Sequence, residues 1–347
     1  MPKPSYRLIR LCRLGLIFAV AAAVSWTSAG HAQPSFKGKT VTIVVGFGPG
    51  GGYDIYGRLV ASHIGDHLAG KPTVVVQNTP GAASVKAANL LYNSALKDGT
   101  TLGLFRSALT VNGVLAGNQK YHPEKFVWIG RVNDSATLGV AWAAAPATSV
   151  EQAKQREVVL ASTGASGNSA MVPWAMNSLL GTKFKVVPGY TSTAAAALAM
   201  EQGEVHGIGA VSLEYLGTVK ADWLKTGKIK LMYSIDLKRK KSLPDVPAIV
   251  EFAKDANSRQ VLALLGSASA IGYSFAAPPG VSEAVAGALG KAFGSMIQDP
   301  AFLADAAKRK LDVDPLTGAE VQKIVADAVA TPRAVVEMAK KATAKPL

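Results

Sequence analysis

Cysteine is almost missing from this chain. The 347 residues hold one, Cys12, close to the amino terminus. An internal disulfide, a cysteine-built zinc site and a thiol nucleophile further along are therefore excluded, and with no cysteine after the first apolar run a lipid-anchored mature form is not expected. Long apolar runs are also missing: after residue 32 no segment is apolar for 18 residues, so none reads as a membrane-crossing helix. Acidic residues are scarce, 23 against 37 basic ones. The basic residues are scattered, except for Lys238-Arg-Lys-Lys241 before Ser242-Leu-Pro244. That run reads as a solvated turn rather than a nucleic-acid patch. A diffuse positive field of this kind gathers small anions.

The first 32 residues read as a signal peptide. Lys3, Arg7, Arg10 and Arg13 form a basic start, Leu14 to Val24 is an apolar run too short to span a bilayer, and Gly30-His-Ala32 offers small residues for cleavage before Gln33. The segment holds four basic residues and no acidic one, so its removal takes the formal charge from +14 to +10. The expected product is a soluble protein outside the cytoplasm, of one large domain or two ordinary ones.

Strand-like and helix-like segments then alternate. Thr40 to Val45 is β-branched and apolar, Tyr53 to Leu68 has helical spacing, and Thr73 to Gln77, Ala82 to Ala95 and Thr101 to Phe105 continue strand, helix, strand. The pattern restarts at Val158 to Ala161, Ala170 to Leu180, Lys185 to Val187, Ala194 to Gln202, His206 to Ala210 and Lys228 to Ser234; from Val281 the chain reads as mostly helical. Successive βαβ units imply mainly parallel sheets with flanking helices. The expected fold is α/β with two lobes, and ligands of such sheets bind at the carboxyl ends of the strands.

Enzyme motifs fail on context. Gly46-Phe-Gly-Pro-Gly-Gly51 matches a dinucleotide fingerprint, but the second strand ends in Gln77-Asn78, with no acid for a ribose. No Lys-Ser/Thr pair follows the glycines, which removes a phosphate-binding P-loop. His63 and His67 share a helix face, yet Ile64 stands where a zinc protease needs glutamate. The alternative from another class is an exported penicillin-recognising serine acyl-transferase or hydrolase, built on Ser94-Ala-Leu-Lys97, Ser166-Gly-Asn168 and Lys225-Thr-Gly227. Against it, Ser94 closes a helix instead of opening one, and Lys225 precedes a strand. The expectation is a binding protein with no catalytic residue, no metal and no cofactor.

What remains is a set of loops at strand ends. Gly48-Pro-Gly-Gly-Gly-Tyr-Asp54 leaves backbone N–H groups bare ahead of a helix, with Asp54 as a candidate cap. Asn78 to Ser84, Thr163 to Ser169 and Gly189 to Thr193 are similarly rich in Gly, Ser, Thr and Asn. Arg106, just past the third strand, offers a fixed charge for a carboxylate.

The order of these motifs resembles a known family. Gly48-Pro-Gly-Gly-Gly-Tyr-Asp54, Val74-Val-Val-Gln-Asn-Thr-Pro-Gly-Ala82, Asp98-Gly-Thr-Thr-Leu102, Tyr121-His-Pro-Glu-Lys-Phe126, Val187-Pro-Gly-Tyr190, Leu243-Pro-Asp-Val-Pro247 and Ala277-Pro-Pro-Gly280 follow one another as in the substrate-binding proteins of tripartite tricarboxylate transporters, the Bug family. The resemblance implies a Venus-flytrap protein that closes over a small organic carboxylate, a di- or tricarboxylate or an aromatic acid. It implies a monomer that docks transiently on integral membrane permease subunits. The implied lobes are residues 33–135 with 255–347, and 136–254. The implied ligand-binding residues are Gly48, Pro49, Gly50, Gly51, Gly52, Tyr53 and Asp54; Asn78, Gly81, Ala82, Ala83 and Ser84; and Phe105, Arg106 and Ser107. From the opposite lobe come Thr163, Ser166, Gly167, Asn168 and Ser169, with Tyr190, Thr191, Ser192 and Thr193. Tyr53 and Arg106 are departures from the usual family residues, so they are where the chain's own specificity is expected to enter.

Overall fold

The computed structural model describes residues 34–50, 52–81, 84–116, 120–165, 167–190 and 192–345. The expected signal peptide and the site candidates Gly51, Ala82, Ala83, Ser166 and Thr191 lie outside the described residues. The folded unit is Ser35–Leu347.

The first half builds as its pattern requires. Strand β1 (Thr40–Val45) buries Val41, Ile43, Val44 and Val45, and helix α1 (Gly52–His67) returns over it with Tyr56, Leu59, Val60 and Ile64 inward. That spacing is one stripe of a helix. Strand β2 (Thr73–Asn78), helix α2 (Val85–Asn93) and strand β3 (Thr101–Leu104) complete the unit, with β2 and β3 both parallel to β1. Helix α3 (Leu109–Ala116) and strand β4 (Val127–Arg131) follow.

Residues 132–136 lead into a second sheet, made of β5 (Thr137–Trp142), β6 (Val158–Ser162), β7 (Phe184–Pro188), β8 (Gly207–Ser212) and β9 (Ile229–Ser234). Helices α4 (Asn168–Leu180), α5 (Thr193–Glu201) and α6 (Leu213–Thr218) connect them. The chain returns through residues 235–273, which carry α7 (Ala256–Ile271), and finishes with β10 (Ser274–Ala277), α8 (Glu283–Ile297), α9 (Pro300–Lys308), β11 (Leu316–Thr317), α10 (Gly318–Val329) and α11 (Arg333–Thr343).

The first sheet has the order β11-β4-β10-β3-β1-β2 and the second β7-β6-β8-β5-β9. Both are mixed, and the reversals are systematic. Strand β5, the first after the outward crossing, is antiparallel to β8 and β9; β10, the first after the return, is antiparallel to β3 and β4. The βαβ units on either side keep their parallel sense.

Two large cores result. One joins Ile43, Tyr56, Leu102 and Phe275 to Phe293 and Met296 of α8 and Phe302 of α9. The other joins Leu160, Val172, Met176 and Tyr233 to Leu265 of α7 and to Val335 and Ala339 of α11. Within the stretch 255–347, α8 and α9 pack with the first sheet, and α7 and α11 bury apolar faces in the core of the second. The basic run departs from the solvated turn expected of it. Lys240 is buried against Asp134, and Arg239 holds Glu251 with both carboxylate oxygens engaged. Asp134 is itself buried, so removing its cation would leave a buried charge uncompensated.

Candidate ligand-binding site

The carboxyl ends of β1, β2 and β3 are tied together by side chains. Asp54 does not cap the helix from outside; it sits in the first turn of α1 and reaches back. Its Oδ2 accepts from the Gly50 N–H (2.9 Å) and from Arg58 Nε (3.0 Å), and its Oδ1 accepts from Asn78 Nδ2 (2.9 Å). Burial opposes the charged form, but the bonds from Arg58, Gly50 and Asn78 outweigh it and hold the carboxyl below its ordinary value. Asn78 also donates to the Phe47 carbonyl (2.9 Å), which locks the β2 end to the β1 loop.

Ser84 is the second tie. Wholly buried, its hydroxyl donates to the Gly46 carbonyl (3.0 Å) and accepts from the Arg106 N–H (3.2 Å), so one oxygen bridges the loops after β1 and β3. Gly46 is required there, because a Cβ would collide with that hydroxyl. Ser84→Ala is expected to cost about 1–3 kcal/mol, since both partners are left buried and unpaired; a denaturation midpoint measures it. Ser84→Gly, which suits the left-handed φ of 77° but also removes the hydroxyl, separates backbone strain from the lost bonds.

Tyr53 is the third. It stacks on Phe47 (centroids 4.7 Å apart), meets Tyr273 edge-on (4.9 Å), and its hydroxyl accepts from the Ser107 N–H (2.9 Å). Burial pushes its pKa up, against the Ser107 bonds. Ser107 in turn reaches Ser135 in the outward crossing, with hydroxyls 3.1 Å apart.

Among the expected site residues, Asp54, Asn78 and Ser84 therefore spend their polar groups on the scaffold. Phe105 turns its ring into the core beside Phe126 (5.6 Å), in space that only Gly103 leaves open; a ligand-facing Phe105 side chain does not fit this packing. The Arg106 side chain is half-buried and has no acidic partner among the described residues. Pro49, Gly50 and Gly81 are exposed, Gly48 and Gly52 half-buried, and among the described residues no atom lies within 4 Å of where a Cβ on Gly48 would stand.

The second sheet repeats the construction with serines. Ser162, ending β6, donates to the Gly164 carbonyl (3.0 Å) and lies 2.8 Å from the Ser169 hydroxyl, while its carbonyl accepts from the N–H groups of Gly189 and Tyr190 (3.1 and 3.2 Å). Gly167 begins α4 with no side-chain cap, which leaves the first amides of a 13-residue helix beside half-buried Asn168. Ser192 is spent capping α5 through the Ala195 N–H (3.1 Å). Thr163 is exposed; Tyr190 and Thr193 are half-buried.

Sequence reasoning missed Glu214, in the first turn of α6 just past β8. Its Oε2 is buried and has no hydrogen-bond partner among the described residues. Burial raises its pKa, and the Asp134 charge adds to that. An acid at a helix start ordinarily serves the helix dipole, so its spacing carried no signal. The other motif residues fall apart. Ser94 is exposed and closes α2, with its N–H on Leu90, and Lys225 is exposed ahead of β9. His63 and His67 each meet an aspartate instead, Asp305 and Asp299 (3.0 and 3.1 Å).

Two α/β sheets joined at crossings, each with small-residue donor loops at its strand ends, define the two-lobed class of periplasmic binding proteins. The chain belongs to the tripartite tricarboxylate transporter receptor family, whose model matches residues 57–340. It is 25% identical over 309 residues to a UPF0065 protein of Bordetella pertussis, covering 87% of each chain. The fold is similar to that of a TctC solute-binding protein from Polaromonas (TM-score 0.68, 21% identity, 88% of this chain and 100% of that one). It is also similar to two Rhodopseudomonas palustris proteins, one solved with adipate and one, MatC, with bound malate. Their TM-scores are 0.60 and 0.59, each at 20% identity over 86% of this chain and 97% and 98% of theirs.

Proposed function

We propose that this chain is an exported solute-binding protein that captures a small organic carboxylate between two lobes and delivers it to membrane permease subunits of a tripartite transporter. The observation that carries the reading is the division of labour in the first loops. Asp54, Asn78 and Ser84 hold the backbone from behind, Asp54 by taking the Gly50 N–H, while Gly48 offers N–H-bearing chain with no atom within 4 Å of where its Cβ would stand among the described residues. Such a surface suits an anion that is held by backbone dipoles. Bound adipate and malate in two relatives of the same fold support the carboxylate. The opposing donors are the uncapped start of α4 and the loop before α5. We assign the first sheet with α1, α2, α8 and α9 to one lobe and the second sheet with α4, α7 and α11 to the other, with the motion taken up at 132–136 and in the return segments flanking α7. The activity is binding by a monomer outside the cytoplasm, without turnover or cofactor.

A thermal-shift screen over mono-, di- and tricarboxylates, aliphatic and aromatic, tests this. At 100 times its Kd a true ligand adds about 2.7 kcal/mol of stability, and a panel with no stabilising acid overturns the reading. Gly48→Asp tests the loop itself. The backbone there needs no special φ and the site is open, so folding is expected to be unchanged while affinity for the best acid falls at least ~10-fold by charge repulsion. Unchanged affinity removes the first loop from the site.

A further inference from the structure

Four aromatic rings run in series from the core of the first sheet to the loop after β1. Tyr56, wholly buried, stacks on Tyr273 with centroids 4.1 Å apart, and Tyr273, itself buried, meets Tyr53 edge-on at 4.9 Å. Tyr53 stacks in turn on Phe47, at 4.7 Å and an interplanar angle of 21°. Exposure rises along the series, and its last two members, Tyr53 and Phe47, are half-buried. Phe47 has no further ring partner among the described residues, so the series stops at a phenyl group that the core covers only in part.

That phenyl group is held in place before any ligand arrives. The Phe47 carbonyl accepts from Asn78 Nδ2 (2.9 Å), and the Tyr53 ring beneath it is fixed by the Ser107 N–H on its hydroxyl (2.9 Å). A preorganised surface of this kind spares a ligand the cost of ordering it. Phe47 also directly precedes Gly48, the loop position with open space at its Cβ site. Successive Cα atoms stand about 3.8 Å apart, so an acid whose carboxylate meets the Gly48 amide carries its carbon body across or beside the Phe47 ring. A flat aromatic body continues the series, and offset or edge-on ring pairs are favoured beyond the area they bury. An aliphatic di- or tricarboxylate has no ring to offer there and sets a second charged group against an apolar one, which costs it hydration.

We propose that Phe47 determines specificity and that the ligand is an aromatic carboxylate, with the carboxyl on the ring or one carbon from it, whose ring packs on Phe47 as the next member of the series. The proposal rests on the carboxylate-binding reading above and narrows it.

Isothermal titration of matched pairs tests it: benzoate against cyclohexanecarboxylate, phenylacetate against cyclohexylacetate, and terephthalate against cyclohexane-1,4-dicarboxylate, with succinate and citrate beside them. The best aromatic acid is expected to bind at least ~5-fold more tightly than its saturated partner, and more tightly than succinate or citrate. Phe47→Leu is expected to bring the ratio within the pair near 1, chiefly by weakening the aromatic member. Phe47→Tyr, which keeps a ring, is expected to keep the ratio. If saturated or aliphatic acids bind wild type best, the proposal falls whether or not Phe47→Leu folds, and the carboxylate reading stands. If Phe47→Leu folds and weakens both members of a pair alike, Phe47 serves the scaffold, with the same consequence. If no acid of any kind binds, the carboxylate reading falls and takes the proposal with it.

Discussion

Replacing Asp54 by alanine is expected to lower stability by about 2–4 kcal/mol, the cost of leaving two donors without their charged acceptor, and to abolish detectable binding of the best acid. Two effects compete in that figure. The ion pair with Arg58 is the less important, because the Arg58 side chain is 49% exposed and water can replace its partner. The larger share comes from the half-buried Asn78 amide, which loses a charged acceptor, with a smaller part from the exposed Gly50 N–H. Arg58→Ala is therefore expected to cost well under half of what Asp54→Ala costs. Asp54→Asn should fall between the two, since an amide has one oxygen for acceptance where the carboxylate uses both. Chemical denaturation gives the stability and titration with the best acid gives the affinity. The contribution of Asp54 is present above its unfolded-state pKa and is lost as pH falls through its lower folded-state value, so wild type and Asp54→Ala should converge in strong acid. If Arg58→Ala costs as much as Asp54→Ala, the aspartate acts mainly through its surface charge, and the scaffold role assigned to it is wrong.

The same loop shows what a sequence can and cannot reveal here. Strand β1 and helix α1 were legible because burial follows local periods: four apolar side chains of six in β1, and one stripe in α1. Gly46, Gly48 and Gly50 marked the loop that follows β1 for the same local reason. The work of its polar neighbours was not legible. Asp54 and Asn78 have polar atoms bonded to each other across 24 positions of chain, which no local pattern announces. Lys240 read as solvated because its partner, Asp134, lies 106 positions away. The strands that reverse each sheet were missed for another reason. Ser274-Phe-Ala-Ala277 is four residues of mostly small side chains, buried on both faces, and has no alternation to read. The divided loyalty of the carboxyl-terminal helices is equally non-local. Nothing within α7 or α11 says which sheet its apolar face will cover.

Asp236 is expected to make the protein lose stability as pH rises, and Asp236→Asn is expected to remove that loss. The residue follows β9 at the start of the return crossing, is 5% exposed, and its Oδ2 has no hydrogen-bond partner among the described residues. Burial raises its pKa to about 8; Asp134 adds to the shift, while Lys240, Arg131 and a bond from Ser234 oppose it. Both of those cations are already committed, to Asp134 and to Asp314. Between its ordinary value near 4 and about 8, the folded chain therefore carries a proton that the unfolded chain has released. Stability then falls with pH across that window, by up to about 1.4 kcal/mol per unit, and stays low above it. Asparagine has the shape of the protonated acid and no charge to bury. The variant is thus expected to match wild type within about 1 kcal/mol at about pH 4.5 and to exceed it by a few kcal/mol at about pH 9, as read from denaturation midpoints at both pH values. Parallel curves for the two proteins would mean that Asp236 is ionised and compensated throughout. A stabilising effect at high pH would also place a proton-dependent cost on the return crossing itself. Asp134 sits on the outward crossing, so the two carboxylates that repel each other join the segments any relative motion of the sheets must use.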